Sequence, residues 1–266
     1  MEAILSFLVL YTLPVAIIGA HLFLRFCRVT KIHVAEAFKF SEEKFKNEGA
    51  GGCYDLLKRV AKKAGINPPA LHVIQGDVAA SFGLKKNLSA VTIGVMNLRL
   101  FNATEMEATF AHEVAHIVRG DALKHMVCNS ILLSLYLCAL ATFLVLLLPA
   151  LVADVFGGAS PFSDLLFVLH ITLTLTLLWV GFELVYRFYL RYVECKADEK
   201  AAELVGDPQK MIQVLRRLEG IRFPQKKNVV RRWWFAVLFW ATLPIRTHPT
   251  YDRRIARLEK LAKVKA

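Results

Sequence analysis

The chain has no pair of cysteines at C-x-x-C spacing. Its five cysteines, Cys27, Cys53, Cys128, Cys138 and Cys195, are scattered, and two lie inside apolar runs. That excludes a disulfide framework and a cysteine-built zinc site, and it fits a reducing compartment for the soluble part. The 266 residues contain no internal repeat and no low-complexity segment, which excludes a repeat array. Acidic residues are few, 22 against 34 lysines and arginines, so the net charge is +12. No nucleic-acid-binding motif accompanies that excess. Hydrophobic residues make up 56% of the chain and the mean hydropathy is +0.43. This combination points to a membrane protein whose basic parts face an anionic cytoplasmic leaflet, with no nucleic acid as partner.

Charge is also absent from three long apolar runs, residues 3–24, 126–152 and 165–182, each long enough to cross a bilayer. The first lacks the basic leading segment of a cleaved signal peptide and is too long for one, so it reads as an uncleaved anchor. Pro149, Gly157, Gly158 and Pro161 separate the other two, which therefore form a hairpin. A hairpin of soluble helices would not call for charge-free runs of this length. The connecting segment 153–164 holds two aspartates and neither lysine nor arginine. Arg25, Arg28 and Lys31 follow the first run, Arg119 and Lys124 precede the second, and Arg187 and Arg191 follow the third. Every basic flank falls on one side of three crossings. The positive-inside rule makes that side cytoplasmic and places the N-terminus and the hairpin loop outside.

The remainder divides into two cytoplasmic pieces, giving an order of anchor 1–26, first soluble piece 27–124, membrane hairpin 125–186 and second soluble piece 187–266. Residues 31–70 read as helical, with Leu56, Leu57, Val60 and Ala64 on an apolar face and Gly65, Pro68 and Pro69 as the stop. Short strands are expected at 71–75, 81–84 and 90–95. Thr104 and Glu107 match the capping-box pattern T-x-x-E and mark a helix start. In the second piece, helices are expected at 191–204, 208–218 and from Tyr251. The segment 229–243, with Trp233, Trp234, Phe235, Phe239 and Trp240 beside Arg231 and Arg232, is too short to span. It reads equally as an interfacial anchor or an aromatic core segment.

The helix that begins near Thr104 carries His112-Glu113-x-x-His116. Histidines four apart on a helix share one face and can bind one metal ion, and the intervening glutamate can handle a proton of the attacking water. Alone, the motif competes with an ordinary core or solvated histidine pair. A catalytic zinc needs a third protein ligand and an open position. Glu194 and Asp198, four apart on another expected helix, offer a ligand and an outer carboxylate that orients a ligand histidine. Without the first motif they would read as solvated acids. Thr247-His248-Pro249, followed by Arg253-Arg254, offers a donor to the oxyanion that develops at a scissile carbonyl.

AHEVAHIVRGD, the Glu194–Asp198 pattern with Arg191 before it, and THPTYDRRIARL resemble, in that order, the HtpX and CAAX-prenyl-protease family of integral-membrane zinc metallopeptidases, most closely the HtpX-type branch. The resemblance covers residues 71–121 and 187–258. It implies one zinc per chain held by His112, His116 and Glu194, Glu113 as the catalytic acid and base, and an active site facing the cytoplasm. Asp198 and Asp121 would support the ligands from behind. His248 would steady the oxyanion, with a lesser claim for Arg254. Three features depart from the family. One span stands near the N-terminus where HtpX-like proteins usually show two. Ala80-Ser81-Phe82-Gly83 stands where the family has Asn-Ala-Phe-Ala. The chain is too short for the seven spans of the prenyl-protease branch, so the CAAX substrate does not carry over.

The expected fold is an α+β, zincin-like metalloprotease domain, with active-site helices and a small, mainly antiparallel sheet, joined to about three transmembrane helices. The expected activity is zinc-dependent hydrolysis of membrane or misfolded polypeptides, in a gluzincin arrangement of HExxH plus glutamate. An extended substrate is expected to add as a strand at the edge near 90–95. The rival is a zinc-stapled membrane regulator or sensor-transducer without proteolysis, which would have no need of Glu113. A channel is disfavoured because no span carries an Asp, Glu, Lys or Arg in its interior, and His21 and His170 lie near span ends.

Overall fold

A computed structural model describes residues 2–45, 52–76, 79–144, 162–222 and 248–265. The elements are α1 (Glu2–Phe45), α2 (Cys53–Lys63), β1 (Ala70–Ile74), β2 (Ala79–Lys85), β3 (Leu88–Gly94), α3 (Val95–Leu100), α4 (Ala103–Arg119), α5 (Asp121–Thr142), α6 (Phe162–Val205), α7 (Pro208–Arg222) and α8 (Tyr251–Lys265). The aromatic segment 229–243, Thr247 and most of the hairpin loop lie outside the described residues.

The chain forms two compact units, one of Met1–Cys27 with His125–Tyr186, the other of Arg28–Lys124 with Arg187–Ala266. Among the described residues, three helical stretches are long and apolar enough to cross a membrane: Leu13–Lys39, Asp121–Ala141 and Leu169–Val205. In the first unit Leu133, Leu137, Leu173, Leu177 and Leu178 stand exposed, an apolar surface that lipid would cover and water would not. Tighter packing occurs at Gly19, where an added Cβ would lie 3.4 Å from Ser134 Oγ. His125 Nδ1 meets the Tyr186 hydroxyl at 2.9 Å.

The second unit is built on a three-stranded sheet of order β1-β3-β2. β2 and β3 form an antiparallel hairpin, but β1 runs parallel to β3. The sheet is therefore mixed, not mainly antiparallel. The short connection after β1 carries the chain past β3 to its far side. Gly76, at φ +110, allows that turn, and its carbonyl accepts from Met96 N at 3.0 Å. β3 lies in the middle with Ser89–Gly94 buried, as its run of Ala90, Val91, Thr92 and Ile93 suits. Because β3 is paired on both sides, it offers no edge for an added strand, contrary to the sequence expectation for 90–95. The outer side of β1 is engaged by Ser41, whose Oγ contacts both the Leu71 carbonyl, at 2.6 Å, and the Leu71 amide. The remaining edge is that of β2.

α4 is the hub of the core. Phe110, Ala111 and Val114 are fully buried and cluster with Leu57, Val60 and Ala61 of α2, Met211, Ile212 and Leu215 of α7, and Leu258 of α8. Each large side chain so buried contributes about 1.5–3 kcal/mol. Alanines at 108, 111 and 115 keep the neighbouring elements close. The N-cap is Asn102, two residues before the expected Thr104. Asn102 accepts from Glu105 N at 2.9 Å, and Glu105 Oε2 accepts from Asn102 N at 2.9 Å, a complete capping box. Thr104 lies inside the helix, and Glu107 instead accepts from Lys63 at 2.9 Å.

Candidate metal centre

α4 brings His112 and His116 together one turn apart, with ring planes at 88° and centroids 4.7 Å apart. Their Nε2 atoms face each other at 3.2 Å. Glu194, from α6, completes a triangle: Oε2 lies 3.6 Å from His112 Nε2 and Oε1 lies 3.6 Å from His116 Nε2. These residues form the group of potential metal donors found among the described residues. Ligand distances of about 2.0–2.1 Å in a tetrahedral site place donor atoms about 3.3 Å apart, so the triangle has the dimensions of three ligands around one zinc ion. Two imidazole nitrogens turned toward each other, with a carboxylate beside them, are a donor set that calls for a cation at their common focus.

The far side of each ring is also occupied. His116 Nδ1 lies 3.0 Å from Asp121 Oδ2. His112 Nδ1 lies 2.9 Å from Asp198 Oδ1, though off the line of a ring N–H bond, which leaves that nitrogen without an aligned partner. A carboxylate behind each imidazole favours the Nδ1–H tautomer and directs the Nε2 lone pair to the focus. Burial alone would lower the pKa of His112, but the Asp198 and Glu194 carboxylates beside it favour the charged ring, outweigh burial and raise the pKa from 6.5 to about 10. The pocket stabilises positive charge between its carboxylates, and the donor set fits a divalent ion.

The supporting carboxylates are fixed in turn. Arg254, buried at the start of α8, grips Asp198 with both arms, Nε to Oδ2 and Nη2 to Oδ1, each at 2.6 Å. Its Nη1 stands 3.7 Å from Glu194 Oε2. Burial works against the charged guanidinium, yet the Asp198 and Glu194 carboxylates raise its pKa above the ordinary arginine value. Asp121, fully buried, accepts from Arg119 Nε at 3.0 Å and from Lys124 Nζ at 3.3 Å. His248 reaches the same centre with Nδ1 3.4 Å from Glu194 Oε2, and its side chain is 63% exposed. Glu113 follows His112 on α4 and is buried at 5% exposure.

The structure thus gathers His112, His116, Glu194, Asp198, Asp121, Arg254 and His248 around one focus. The motif order suggests a part for Arg254 in steadying the oxyanion. In the structure its fork grips Asp198, a long-range pairing with no local sequence signal. A clamp on α4 also has no such signal: Arg217 of α7 donates Nη1 to both Glu105 oxygens, at 2.9 and 3.0 Å, and Nη2 to the Leu100 carbonyl.

The family described as Peptidase family M48 matches residues 53–262. The protease HtpX homolog of Acaryochloris marina is 29% identical over 219 residues, covering 78% of this chain and 71% of that protein. Protease HtpX of Vibrio atlanticus is 27% identical over 220 residues, covering 81% and 74%, and protease HtpX of Pasteurella multocida is 29% identical over 219 residues, covering 78% and 71%. No solved structure gives a significant match. With a histidine–glutamate triangle of zinc dimensions and three span-length apolar helices beside these likenesses, the chain belongs to peptidase family M48, in its HtpX-type branch, and is a membrane metallopeptidase.

Proposed function

We propose that the chain is a zinc-dependent endopeptidase that hydrolyses membrane or misfolded proteins on the cytoplasmic side, with residues 1–26 as anchor, 125–186 as membrane hairpin, and 27–124 and 187–266 as the two parts of its catalytic domain. The observation that carries this reading is the 3.2–3.6 Å triangle of His112, His116 and Glu194, with a carboxylate behind each ring. Bound there, zinc would lower the pKa of a water from 15.7 to about 7 and polarise the scissile carbonyl.

The chain's own residues supply the rest. Glu113, placed by the helix next to His112, takes the proton of the attacking water and returns it to the leaving amine. His248, largely exposed beside Glu194, donates to the developing oxyanion. Arg254 acts as a positioning residue, holding Asp198 against His112. An extended substrate pairs with the edge of β2, since β3 is enclosed on both sides.

The test is zinc content together with cleavage of a reporter substrate and self-cleavage in detergent, for the wild type and Glu113→Gln. The variant should keep about one zinc per chain and lose at least about a hundredfold in rate, the lower end of what a general base supplies. Normal cleavage by Glu113→Gln would overturn the mechanism. Zinc at full occupancy with no cleavage by the wild type would favour a zinc-stapled regulator.

A further inference from the structure

A groove of about 320 Å³ lies between β2 and the C-terminal turn of α4. His116 stands in its wall, so the groove borders the metal centre directly. Phe82, Ile117 and Leu123 give it apolar lining. Its charged lining groups are Lys85, Lys86 and Arg119, and among the described residues no aspartate or glutamate lines it. Both lysines are exposed, and Arg119 is anchored through Nε on Asp121. The strand is irregular at this point: the β2–β3 register shifts between Gly83 and Lys85, leaving Leu84 as an extra residue. Such bulges re-aim side chains at the ends of edge strands.

We propose that this groove sets substrate preference by accepting a peptide carboxylate, which meets Lys85, Lys86 and Arg119 while the peptide backbone pairs with β2. The proposal rests on the peptidase reading above and names its substrate class: segments with an acidic group close to the scissile bond. Two exposed lysines, beside an arginine already held on Asp121, form a field that a carboxylate satisfies and that a lysine or arginine in the substrate opposes. The carboxylate is either an aspartate or glutamate side chain or a free chain terminus. A phospholipid headgroup is also anionic. A peptide is favoured because the groove joins a strand edge to a catalytic wall, and a lipid uses neither.

The test uses the full chain, zinc-loaded, in nanodiscs of neutral lipid. Amidated peptides carry Glu or Gln at successive positions around the scissile bond, and a further Gln peptide ends in a free carboxylate at the corresponding distance. Binding is read by anisotropy on Glu113→Gln, and cleavage on the wild type. At one position Glu should exceed Gln by about tenfold or more, the effect of a charged hydrogen bond. The Lys85→Glu/Lys86→Glu double variant should abolish or reverse that ratio, which is read within each variant so that a general loss of binding cancels. Advantage for the free-terminus peptide alone would assign the groove to a chain end. Equal Glu and Gln at every position, or an unchanged ratio in the double variant, overturns the proposal. So does displacement of the acidic peptide by anionic phosphatidylglycerol nanodiscs in a Lys85- and Lys86-dependent way, which would make the groove a lipid site. Acidic preference in binding without any cleavage would sink the peptidase reading and keep the groove. Cleavage without preference would do the reverse.

Discussion

Burial alone would strip the proton from His112, yet Asp198 and Glu194 hold its pKa at about 10. In the zinc-free protein the sign is that of a raised histidine. Its stabilising contribution is complete below the unfolded value of 6.5 and is lost as pH rises toward about 10. Zinc and this proton compete for the same ring, so loading the site should release about one proton. Apparent affinity should therefore weaken about tenfold for each pH unit below the histidine pKa, measured by chelator competition between about pH 6 and 8. A flat profile would mean that the proton and the ion do not share the ring. The Asp198–Arg254 fork makes a second prediction at this scale. Asp198→Ala removes both close hydrogen bonds of a buried guanidinium, leaving it only Glu194 at 3.7 Å, and should cost about 3–5 kcal/mol in denaturant unfolding of the zinc-free protein. Asp198→Leu combined with Arg254→Met, which removes both charges, should recover much of that loss but not the zinc affinity. These residues differed in legibility. Histidines four apart on a helix, and Glu194 with Asp198 four apart on another, share a face by the helical period alone. The partner of Arg254 is fixed only when α8 packs, and nothing in its neighbourhood along the chain names Asp198.

At the scale of elements, the boundaries of α4 show how two overlapping cap patterns are resolved. Thr104-x-x-Glu107 and Asn102-x-x-Glu105 both fit, and the structure uses the second because Glu105 also meets Arg217, a long-range partner that adds to the cap. Strand positions were legible from β-branched residues and turn signals, but strand order was not. The parallel placement of β1 depends on Ser41 closing its outer side and on a crossing turn at Gly76. Two glycines separate backbone strain from steric exclusion. Gly120 ends α4 at φ +67 with open space where a Cβ would stand, so Gly120→Ala should cost only the left-handed penalty, about 1–2 kcal/mol. At Gly83, φ +155, a Cβ would lie 2.5 Å from the Leu88 carbonyl oxygen and 2.7 Å from Ser89 Cα, backbone of the paired strand that has no side-chain freedom to yield. Gly83→Ala should add an overpacking cost of about 1–3 kcal/mol and also weaken peptide binding at β2. Equal thermal shifts for the two variants, with peptide binding intact in both, would show that β2 is not held by this contact.

Over the whole molecule, the sequence divides its charge by side. Arg25, Arg28 and Lys31, Arg119 and Lys124, and Arg187 and Arg191 flank the apolar runs, while 153–164 carries only Asp154 and Asp164. Each Lys or Arg near an anionic leaflet contributes about 1 kcal/mol toward remaining there, and with three crossings the flanks reinforce one another. The apolar runs and their flanks were readable because length and charge are local properties of the chain. The groups of the metal centre come from both sides of the hairpin sequence, and only their family order connected them before the structure did. The proposed orientation predicts the outcome of cysteine labelling in cells. On a background without the five native cysteines, Ser160→Cys should react with an impermeant maleimide in intact cells, and Lys62→Cys, on the exposed face of α2, only after permeabilisation. Charge is the stated cause, so introducing Asp154→Lys and Asp164→Lys while neutralising Arg25 and Arg28 should raise the fraction of chains labelled at position 62 from outside. The reverse labelling pattern in the unaltered charge background would place the metal centre on the outer side and sink the cytoplasmic assignment. An orientation that ignores the charge changes would keep the side and remove the basic flanks as its reason.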